Sequence, residues 1–379
     1  MEIQDFSKHR NFPGVIGNDF DIILHRYDAI QKIPAIIFAG LLLGIAILPT
    51  RADWPLTFGL WGFYLLDWLL LGLLKPAGKS YGPSQPPVLI LAVLRALFAW
   101  LPFVIALPLQ LIGTLLVIYG FWIEPHRIHT TVQHLRSTKL KTGEKIRLLH
   151  LGDLHIERIT RREKELENKI KELKPDLILF SGDVLNLSFI RDPQAIQEAR
   201  QVMQNWQAPA GCIAVLGSPA VDLDEVAPSI YDGLPIHLLS ADRKTISVKG
   251  ENIDVIGMSC SHRPFVDAPI LASLIDPHSD RFTVFLYHSP DLAPNAAQFN
   301  IDLQLSGHTH GGQVRLPWVG PLFTASLYGR AFASGRYILK NLVLYITRGI
   351  GMEGAGAPRV RFLCPPEIIL WEITGASID

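Results

Sequence analysis

The chain contains little cysteine and little charge. Its three cysteines, Cys212, Cys260 and Cys364, form an odd and widely spaced set. That excludes a disulfide scaffold and a CxxC zinc site, and it agrees with a reducing compartment. Charged residues make up 18% of the sequence, against about 25% in soluble domains. Lys+Arg and Asp+Glu both number 35, so no surplus of positive charge is available for phosphate backbones, and we expect no nucleic-acid partner.

The scarcity of charge is greatest in the first third of the chain, where hydrophobic runs are long. The 379 residues are 49% hydrophobic, and a membrane span needs about 17–25 apolar residues. Runs free of charged residues cover 33–50, 54–74 (interrupted only by Asp67) and 96–123. We predict spans at 34–49 and 55–74, and a hairpin of two short spans within 86–123 that turns near Pro102 and Pro108.

Two counts of spans fit these runs. Either four helices cross the bilayer, or three cross and residues 86–95 lie in the interface. Lys and Arg residues precede the first run and follow the last, and the positive-inside rule places both groups on one side. An even number of spans is therefore favoured, and four spans also put Lys75 and Lys79 on the same side of the membrane as the two ends. We predict a multi-pass membrane protein with cytoplasmic termini and a cytoplasmic soluble part, and we recognise no cleavable signal peptide.

Two charged residues lie within the predicted membrane segment. Charges inside a bilayer are costly and are usually paired. One hypothesis is an ion pair between Asp67 on the second span and Arg95 on the third. The alternative is that both side chains extend toward an interface.

From about Ile146 short apolar runs alternate with amphipathic stretches, which is typical of a layered α/β domain. We predict strands at 146–151, 177–180, 212–216, 282–287, 301–305 and 367–373, hairpins over 245–257 and 337–346, and helices at 161–173 and 193–206. The organisation we infer is a polar segment at 1–33, transmembrane helices over 34–124, a basic linker at 125–145 and a soluble domain at 146–379.

Polar motifs follow directly after four of the predicted strands. They are Gly152-Asp153-Leu154-His155, Ser181-Gly182-Asp183, His288-Ser289-Pro290-Asp291 and Ser306-Gly307-His308-Thr309-His310. Ligands of open α/β sheets bind beyond the carboxyl ends of the strands. Carboxylate oxygens and imidazole nitrogens are suitable ligands for Zn, Mn or Fe. The pattern therefore predicts a metal site at one edge of a sheet.

With these motifs, residues 146–373 resemble the calcineurin-like metallophosphoesterases, and most of all their bacterial membrane-associated branch. Some members of that branch cleave the pyrophosphate of UDP-2,3-diacylglucosamine in lipid A synthesis. The resemblance extends to the sequences GGQVRLP at 311–317, TRGIG at 347–351 and CPPEI at 364–368. It implies a two-sheet αββα sandwich with two divalent metal ions, Mn, Fe or Zn.

The family motifs imply a role for each matching residue. Asp153, His155 and His310 would bind the first metal, and Asp183 would bridge the two ions. His288 and His308 would bind the second metal. Where the family has the second acid of its GDxxD motif, this chain has Asn186, which we expect to form hydrogen bonds.

The chain departs from the family where a GNH(D/E) motif is expected after the third strand. Gly217-Ser218-Pro219-Ala220 stands there instead. Ser218 takes the place of an Asn ligand and is a poor substitute, and Pro219 takes the place of a His that acts on the leaving group. Proline cannot donate a proton, and losing a proton donor lowers a rate by about 10²–10⁴-fold. Asp222 or Asp224 could add a ligand oxygen, or both could be solvated.

The reaction that such a site supports is hydrolysis of a phosphodiester or pyrophosphate by metal-bound hydroxide. A phosphate leaving group depends less on a general acid. The predicted spans and the apolar stretch Leu316–Phe323 indicate a lipid-linked substrate and contact with the bilayer, although core packing is the favoured alternative for that stretch. Arg330, Arg348 and Arg359 could bind substrate phosphate or form salt bridges.

Two other functions are compatible with the sequence. The altered GSPA segment would suit a weakened relative that binds a metal or a phosphorylated ligand as a membrane sensor or scaffold. A transporter or channel is disfavoured, since four short spans with one Asp–Arg pair offer little for translocation.

Overall fold

The computed structural model describes residues 2–141, 143 and 145–376. Ten α-helices lie within them: α1 Asp19–Asp28, α2 Ala35–Thr50, α3 Trp54–Gly72, α4 Gln85–Phe98, α5 Phe103–Val117, α6 Arg161–Leu173, α7 Pro193–Gln204, α8 Ala227–Tyr231, α9 Pro264–Leu274 and α10 Ala293–Ala296. The same residues contain fourteen strands: β1 His129–Ser137, β2 Ile146–Leu151, β3 Leu177–Phe180, β4 Cys212–Val215, β5 Ile236–Leu239, β6 Ala241–Val248, β7 Glu251–Met258, β8 Phe282–Tyr287, β9 Leu303–Ser306, β10 Arg315–Leu316, β11 Gly320–Pro321, β12 Gly335–Leu339, β13 Leu342–Ile346 and β14 Glu367–Gly375.

Two mixed six-stranded sheets form the centre of the soluble part, in the orders β1-β14-β2-β3-β4-β5 and β12-β13-β9-β8-β7-β6. Side chains of both sheets meet in one apolar layer that includes Leu148, Val284 and Trp371. A second layer covers the outer face of the first sheet beneath α6, α7 and α8. A third covers the second sheet beneath α9 and α10. The predicted α/β fold with mixed sheets is confirmed.

The direction of the strands places their carboxyl ends together. β2, β3 and β4 are parallel neighbours in the first sheet, and β7, β8 and β9 are parallel neighbours in the second. Loops that leave the carboxyl ends of parallel strands share one edge of a sheet. The predicted motifs after β2, β3, β8 and β9 therefore emerge on a common side of the sandwich.

The prediction of a basic linker over 125–145 is wrong for β1. This strand pairs in parallel with β14 along its full length, from His129 opposite Glu367 to Ser137 opposite Gly375. Its residues are mostly polar, and none of its nine positions is fully buried. Because β1 is an edge strand, it lacks the apolar alternation that identifies half-buried strands.

The bounds of α2 and α3 agree with the first two predicted spans to within two residues. The helices α4 and α5 correspond to the two arms of the predicted hairpin, and residues 99–102 connect them. By length and composition, two described helices could cross a bilayer: α3, and α5 continued as far as His126. A third would count if Asp19–Lys32 and α2, which meet at a bend of 108°, formed one span. The four-span arrangement stays a prediction.

Asp67 on α3 and Arg95 on α4 form the predicted ion pair. Arg95 donates from Nε and Nη2 to the two carboxylate oxygens of Asp67, at 2.7 and 2.8 Å. Its Nη1 donates to the Gln110 carbonyl at 2.7 Å, and its Nη2 also donates to the Thr114 hydroxyl. Both charged side chains are buried, so the fork of Arg95 ties three helices together.

This pairing predicts a pattern among charge-reversal variants. Asp67→Arg or Arg95→Asp alone should lower the yield of folded protein sharply, because an unpaired buried charge destabilises by about 3–5 kcal/mol. The double reversal should recover part of the yield, but not all, since the contacts of Arg95 with Gln110 and Thr114 are lost. Size-exclusion profiles in detergent measure this, and equal loss in the single and double variants would contradict the pairing.

Candidate metal centre

The six side chains predicted as metal ligands come from four loops and meet at the shared edge of the two sheets. Each is more than nine-tenths buried. In chain order they are Asp153 and His155 after β2, Asp183 after β3, His288 after β8, and His308 and His310 after β9. Convergence at the strand ends, which the positions of the motifs indicated, is therefore present in the fold.

One group of donors, here called the first cluster, consists of Asp153, His155 and His310. The Nε2 atoms of His155 and His310 face each other at 2.9 Å. The Oδ1 atom of Asp153 accepts a hydrogen bond from the backbone N–H of His308 at 2.9 Å. That bond joins the loops after β2 and β9 and orients the carboxylate.

A second cluster consists of His262, His288 and His308. Nδ1 of His288 donates to the Ser181 carbonyl at 2.8 Å, which leaves Nε2 directed into the site. Nε2 of His308 lies 3.2 Å from the Ala325 carbonyl, which leaves Nδ1 directed inward. Contacts of this kind fix the ring orientation and tautomer of metal-binding histidines.

Asp183 lies between the clusters. Its Oδ2 is 3.6 Å from Nε2 of His155 in the first cluster and 3.3 Å from Nε2 of His288 in the second. Its Oδ1 accepts the Ser218 backbone N–H at 2.6 Å. One carboxylate therefore faces both groups of imidazoles, as a bridging residue must.

The donor set fits divalent cations. Asp153 Oδ2 is buried and has no hydrogen-bond partner among the residues that the structure describes. Two imidazole nitrogens that face each other can form at most one hydrogen bond, because a neutral ring carries one N–H. Buried polar groups without partners are costly, and a cation would satisfy these lone pairs together.

The backbone at the site is in an uncommon conformation. Five of the six predicted ligands, all except His288, have positive φ, with values from 43° at His155 to 72° at His308. Left-handed conformations of residues other than glycine cost about 1–3 kcal/mol each and gather at functional sites. The fold maintains this strain in order to direct several side chains to one place.

The electrostatics favour neutral imidazoles in most of these positions. Burial, aided by the charge of His288, lowers the pKa of His308 to about 3. Burial and the neighbouring His155 and Arg361 hold the pKa of His310 well below its usual value. Histidine must be neutral to bind a metal, so these rings have a lone pair available at neutral pH.

His288 and Asp183 behave as a coupled pair. Burial alone would lower the pKa of His288, but the adjacent Asp183 carboxylate raises it. Burial would likewise raise the pKa of Asp183, but the neighbouring His288 and His155 lower it. The carboxylate is therefore ionised and available to a cation.

Asp222 organises the loop that carries the altered GSPA segment. Its carboxylate accepts the backbone N–H groups of Asp183, Val184 and Gly217, at 2.8, 2.9 and 2.8 Å. It is buried and turned toward the backbone, so it is neither the extra ligand nor the solvated acid that the sequence suggested. Gly217 is required here because a Cβ at that position would collide with the Asp183 carboxylate.

Other candidate residues lie outside the two clusters. Asn186 donates to the Met352 carbonyl, and Arg359 is buried with its Nε on Glu157 at 2.9 Å. Arg348 pairs with Glu367 at 3.0 Å, while Asp224 and Arg330 are exposed. Asn186 thus forms hydrogen bonds as expected, and Arg348 and Arg359 form salt bridges.

Sequence reasoning missed two parts of the site. His262 was a lone histidine after β7, with no motif around it. The N-terminal polar segment received no role, yet it packs beside the second cluster, where the Gly14 carbonyl accepts the Ala220 N–H at 3.0 Å. A Cβ at Gly14 would collide with the His262 ring. Neither contact has a local sequence signal, because each joins residues more than 200 positions apart.

Comparison with known proteins agrees with this geometry. A family model described as calcineurin-like phosphoesterase matches residues 146–312. This part of the chain is similar to the calcineurin-like phosphoesterases. Members of this family are metal-dependent hydrolases of phosphoester bonds, and the domain contains the ligand-rich loops described above.

Three relatives illustrate the range of the family. The uncharacterized metallophosphoesterase YkuE of Bacillus subtilis is 29% identical over 271 residues, 68% of this chain and 90% of the relative. The UDP-2,3-diacylglucosamine pyrophosphatase LpxG of Chlamydia trachomatis is 24% identical over 59% of this chain and 82% of the length of LpxG. The phosphodiesterase YaeI of Escherichia coli is 25% identical, over 60% of this chain and 82% of its own.

The contacts of Asp222 predict a large effect of its removal. Asp222→Ala leaves three buried N–H groups without an acceptor and should lower the free energy of unfolding by at least about 1–3 kcal/mol. Asp224→Ala, two residues away and exposed, is the matched control and should change little. Thermal unfolding measures both, and equal stability of the two variants would show that Asp222 does not support the loop.

Proposed function

We propose that this chain is a membrane-anchored phosphoesterase that uses two divalent cations to hydrolyse a lipid-linked phosphodiester or pyrophosphate. The observation that carries the proposal is the convergence of buried Asp and His side chains into two clusters that share Asp183. The apolar surfaces beside the site support the proposal that the substrate is linked to a lipid.

In this proposal, Asp153, His155 and His310 would hold one cation, His288 and His308 would hold the other, and Asp183 would lie between them. When bound, two such cations would orient the phosphate, supply a nucleophile at neutral pH and stabilise the entering and leaving oxygens. The chain's own contribution is to direct the ligands through fixed second contacts, such as His288 to Ser181. Because Pro219 cannot protonate a leaving group, the reaction suits a leaving group of low basicity, such as the phosphate half of a pyrophosphate.

An exposed apolar hairpin beside the site supports a lipid-linked substrate. β10 and β11 pair across Leu316 and Gly320, and Trp318 at the tip is fully exposed at 103%. Val319, Leu322 and Phe323 are each about half exposed. The stretch is therefore not packed in the core, which was the alternative at the sequence level. Tryptophan at an exposed tip is typical of membrane interfaces.

A cavity of about 500 Å³ lies between this hairpin and the N-terminal helices. Apolar residues of α4 and α5, including Leu94 and Leu116, form one wall. Val314, Leu322 and Phe362 of the phosphoesterase domain form the other. In this proposal an acyl chain of the substrate would lie in this cavity, whose wall residue Val314 is four residues from His310 in the chain.

The relatives and the helices agree with this proposal. LpxG, by its name, acts on UDP-2,3-diacylglucosamine, a lipid-linked pyrophosphate. The apolar helices Trp54–Gly72 and Phe103–His126 are long enough to hold the domain at a bilayer. With the positive-inside rule, the domain would face the cytoplasm.

A catalytically weakened binding module is the alternative, and the altered GSPA segment is the observation that favours it. Such a protein would still bind cations and phosphorylated ligands in the same clusters. Turnover separates the two functions, because a binding module would hold metal without hydrolysing a substrate.

The first test is activity of the purified full-length chain in detergent with Mn²⁺. We expect hydrolysis of bis(p-nitrophenyl) phosphate or of a lipid-linked pyrophosphate, loss on chelation, and recovery on adding metal. His310→Ala should lower the rate by at least about 100-fold, because it removes a ligand of the first cation. His237→Ala, an exposed histidine on β5, is the control. Bound metal without turnover of any substrate would favour the binding module.

The second test concerns the hairpin. Trp318→Ser should lower the rate on a lipid-linked pyrophosphate in vesicles by about tenfold or more, since burying one large apolar side chain is worth about 1.5–3 kcal/mol. The rate on a soluble phosphodiester should not change. Ile338→Ser, which replaces an exposed apolar residue on β12, should affect neither rate. A parallel fall on both substrates would mean that Trp318 supports the fold and not lipid binding.

A further inference from the structure

His262 is a buried imidazole in the second cluster that belongs to no family motif in this chain. It follows β7, which is a parallel neighbour of β8, so its loop reaches the same edge as the loop of His288. Its ring lies 4.2 Å from that of His308 and 5.8 Å from that of His288, between centroids. It is 2% exposed and has φ of 58°, so it shares the strained backbone of the predicted ligands.

The Ser218 hydroxyl marks the point on which the second cluster converges. Its Oγ lies 3.1 Å from Nε2 of both His262 and His288. It is 3.5 Å from Nδ1 of His308 and 3.3 Å from Oδ2 of Asp183. Four potential ligand atoms from four loops therefore surround one small side chain.

One hydroxyl cannot satisfy these four atoms. A serine hydroxyl donates a single proton and accepts through two lone pairs. Nε2 of His288 and Nδ1 of His308 present lone pairs when neutral, because the other nitrogen of each ring faces a backbone carbonyl. The Asp183 carboxylate only accepts. A divalent cation near this point would satisfy all of these donors, whereas the hydroxyl satisfies one.

We propose that His262 replaces the asparagine that the GSPA segment lacks, as a ligand of the second cation. That site would then consist of Asp183, His262, His288 and His308. The proposal rests on the two-cation function above. Ser218 and Gly14 are the small neighbours that leave room for the imidazole, since a Cβ at Gly14 would collide with it.

The ligand set has a chemical consequence. The second site would contain three imidazoles and one carboxylate, and the first site two imidazoles and two carboxylates. Imidazole nitrogen suits Zn and Fe, whereas oxygen ligands suit Mn. The second site should therefore prefer Zn²⁺ over Mn²⁺ more strongly than the first site does.

The test is metal stoichiometry of the full-length chain, with Zn²⁺ measured by mass spectrometry and Mn²⁺ by electron paramagnetic resonance. His262→Asn tolerates the left-handed backbone, but its amide is too short to reach the position of Nε2. It should bind about one cation where the wild type binds two, and the spin-coupled Mn²⁺ signal should become that of isolated ions. His262→Gln reaches farther and should recover the second cation with weaker affinity.

Two matched variants decide between ligands. Ser218→Ala removes one oxygen and should still bind two cations, and His126→Asn removes a buried histidine outside both clusters and should do the same. Two cations in His262→Asn, or loss of one in Ser218→Ala, would overturn the proposal. A wild type that binds two cations and hydrolyses phosphoesters, with His262→Asn unchanged, would refute this inference alone. A wild type that binds fewer than two would contradict the proposed function as well.

Discussion

The structure depends on a convergence of lone pairs inside the protein. Asp153, Asp183 and the imidazoles of both clusters are withdrawn from water, although carboxylates and imidazoles lose solvation when buried. Hydrogen bonds within the site satisfy only part of them, because Asp153 Oδ2 has no partner among the described residues. Left-handed backbone at the same residues adds strain. An arrangement that is costly in two ways at one place is the physical mark of a site built for a ligand.

The supporting contacts explain how the GSPA segment can differ from its family without disrupting the centre. Asp222 holds the loops after β3 and β4 together through backbone N–H groups, which do not depend on the side chains at Ser218 and Pro219. The position of Asp183 is therefore secured by the backbone. A lost side-chain ligand can then be supplied from another loop of the same edge, which is the role proposed for His262.

The apolar parts of the molecule are arranged around the same edge. The exposed hairpin of β10 and β11 follows the loop of His310 directly in the chain, and the cavity behind it has one wall from α4 and α5. A polar headgroup and an apolar chain could therefore be bound side by side. This proximity links the proposed chemistry to the proposed membrane attachment, since hydrolysis at a bilayer requires both surfaces on one side of the domain.

Much of the architecture follows from local patterns in the sequence. The limits predicted for β2, β3, β8 and α6 agree with the structure, because buried strands are short apolar runs and α6 carries a capping box at Thr160. The polar β1 was missed because an edge strand needs no apolar alternation. The six predicted ligands were recognisable because each adjoins a strand end, and all except His288 lie in a glycine-containing or paired-histidine motif.

The sequence by itself determined which residues could bind a cation, since a ligand's chemistry is a property of its side chain and its neighbours in the chain. Tertiary structure decided which of them share a site. His262, Asp222 and Gly14 acquire their contacts only when loops from different parts of the chain meet, and no periodicity or motif encodes such a meeting. Folding also decided that Leu316–Phe323 faces outward, because an apolar run can pack in a core or lie exposed, and only the neighbouring elements determine which.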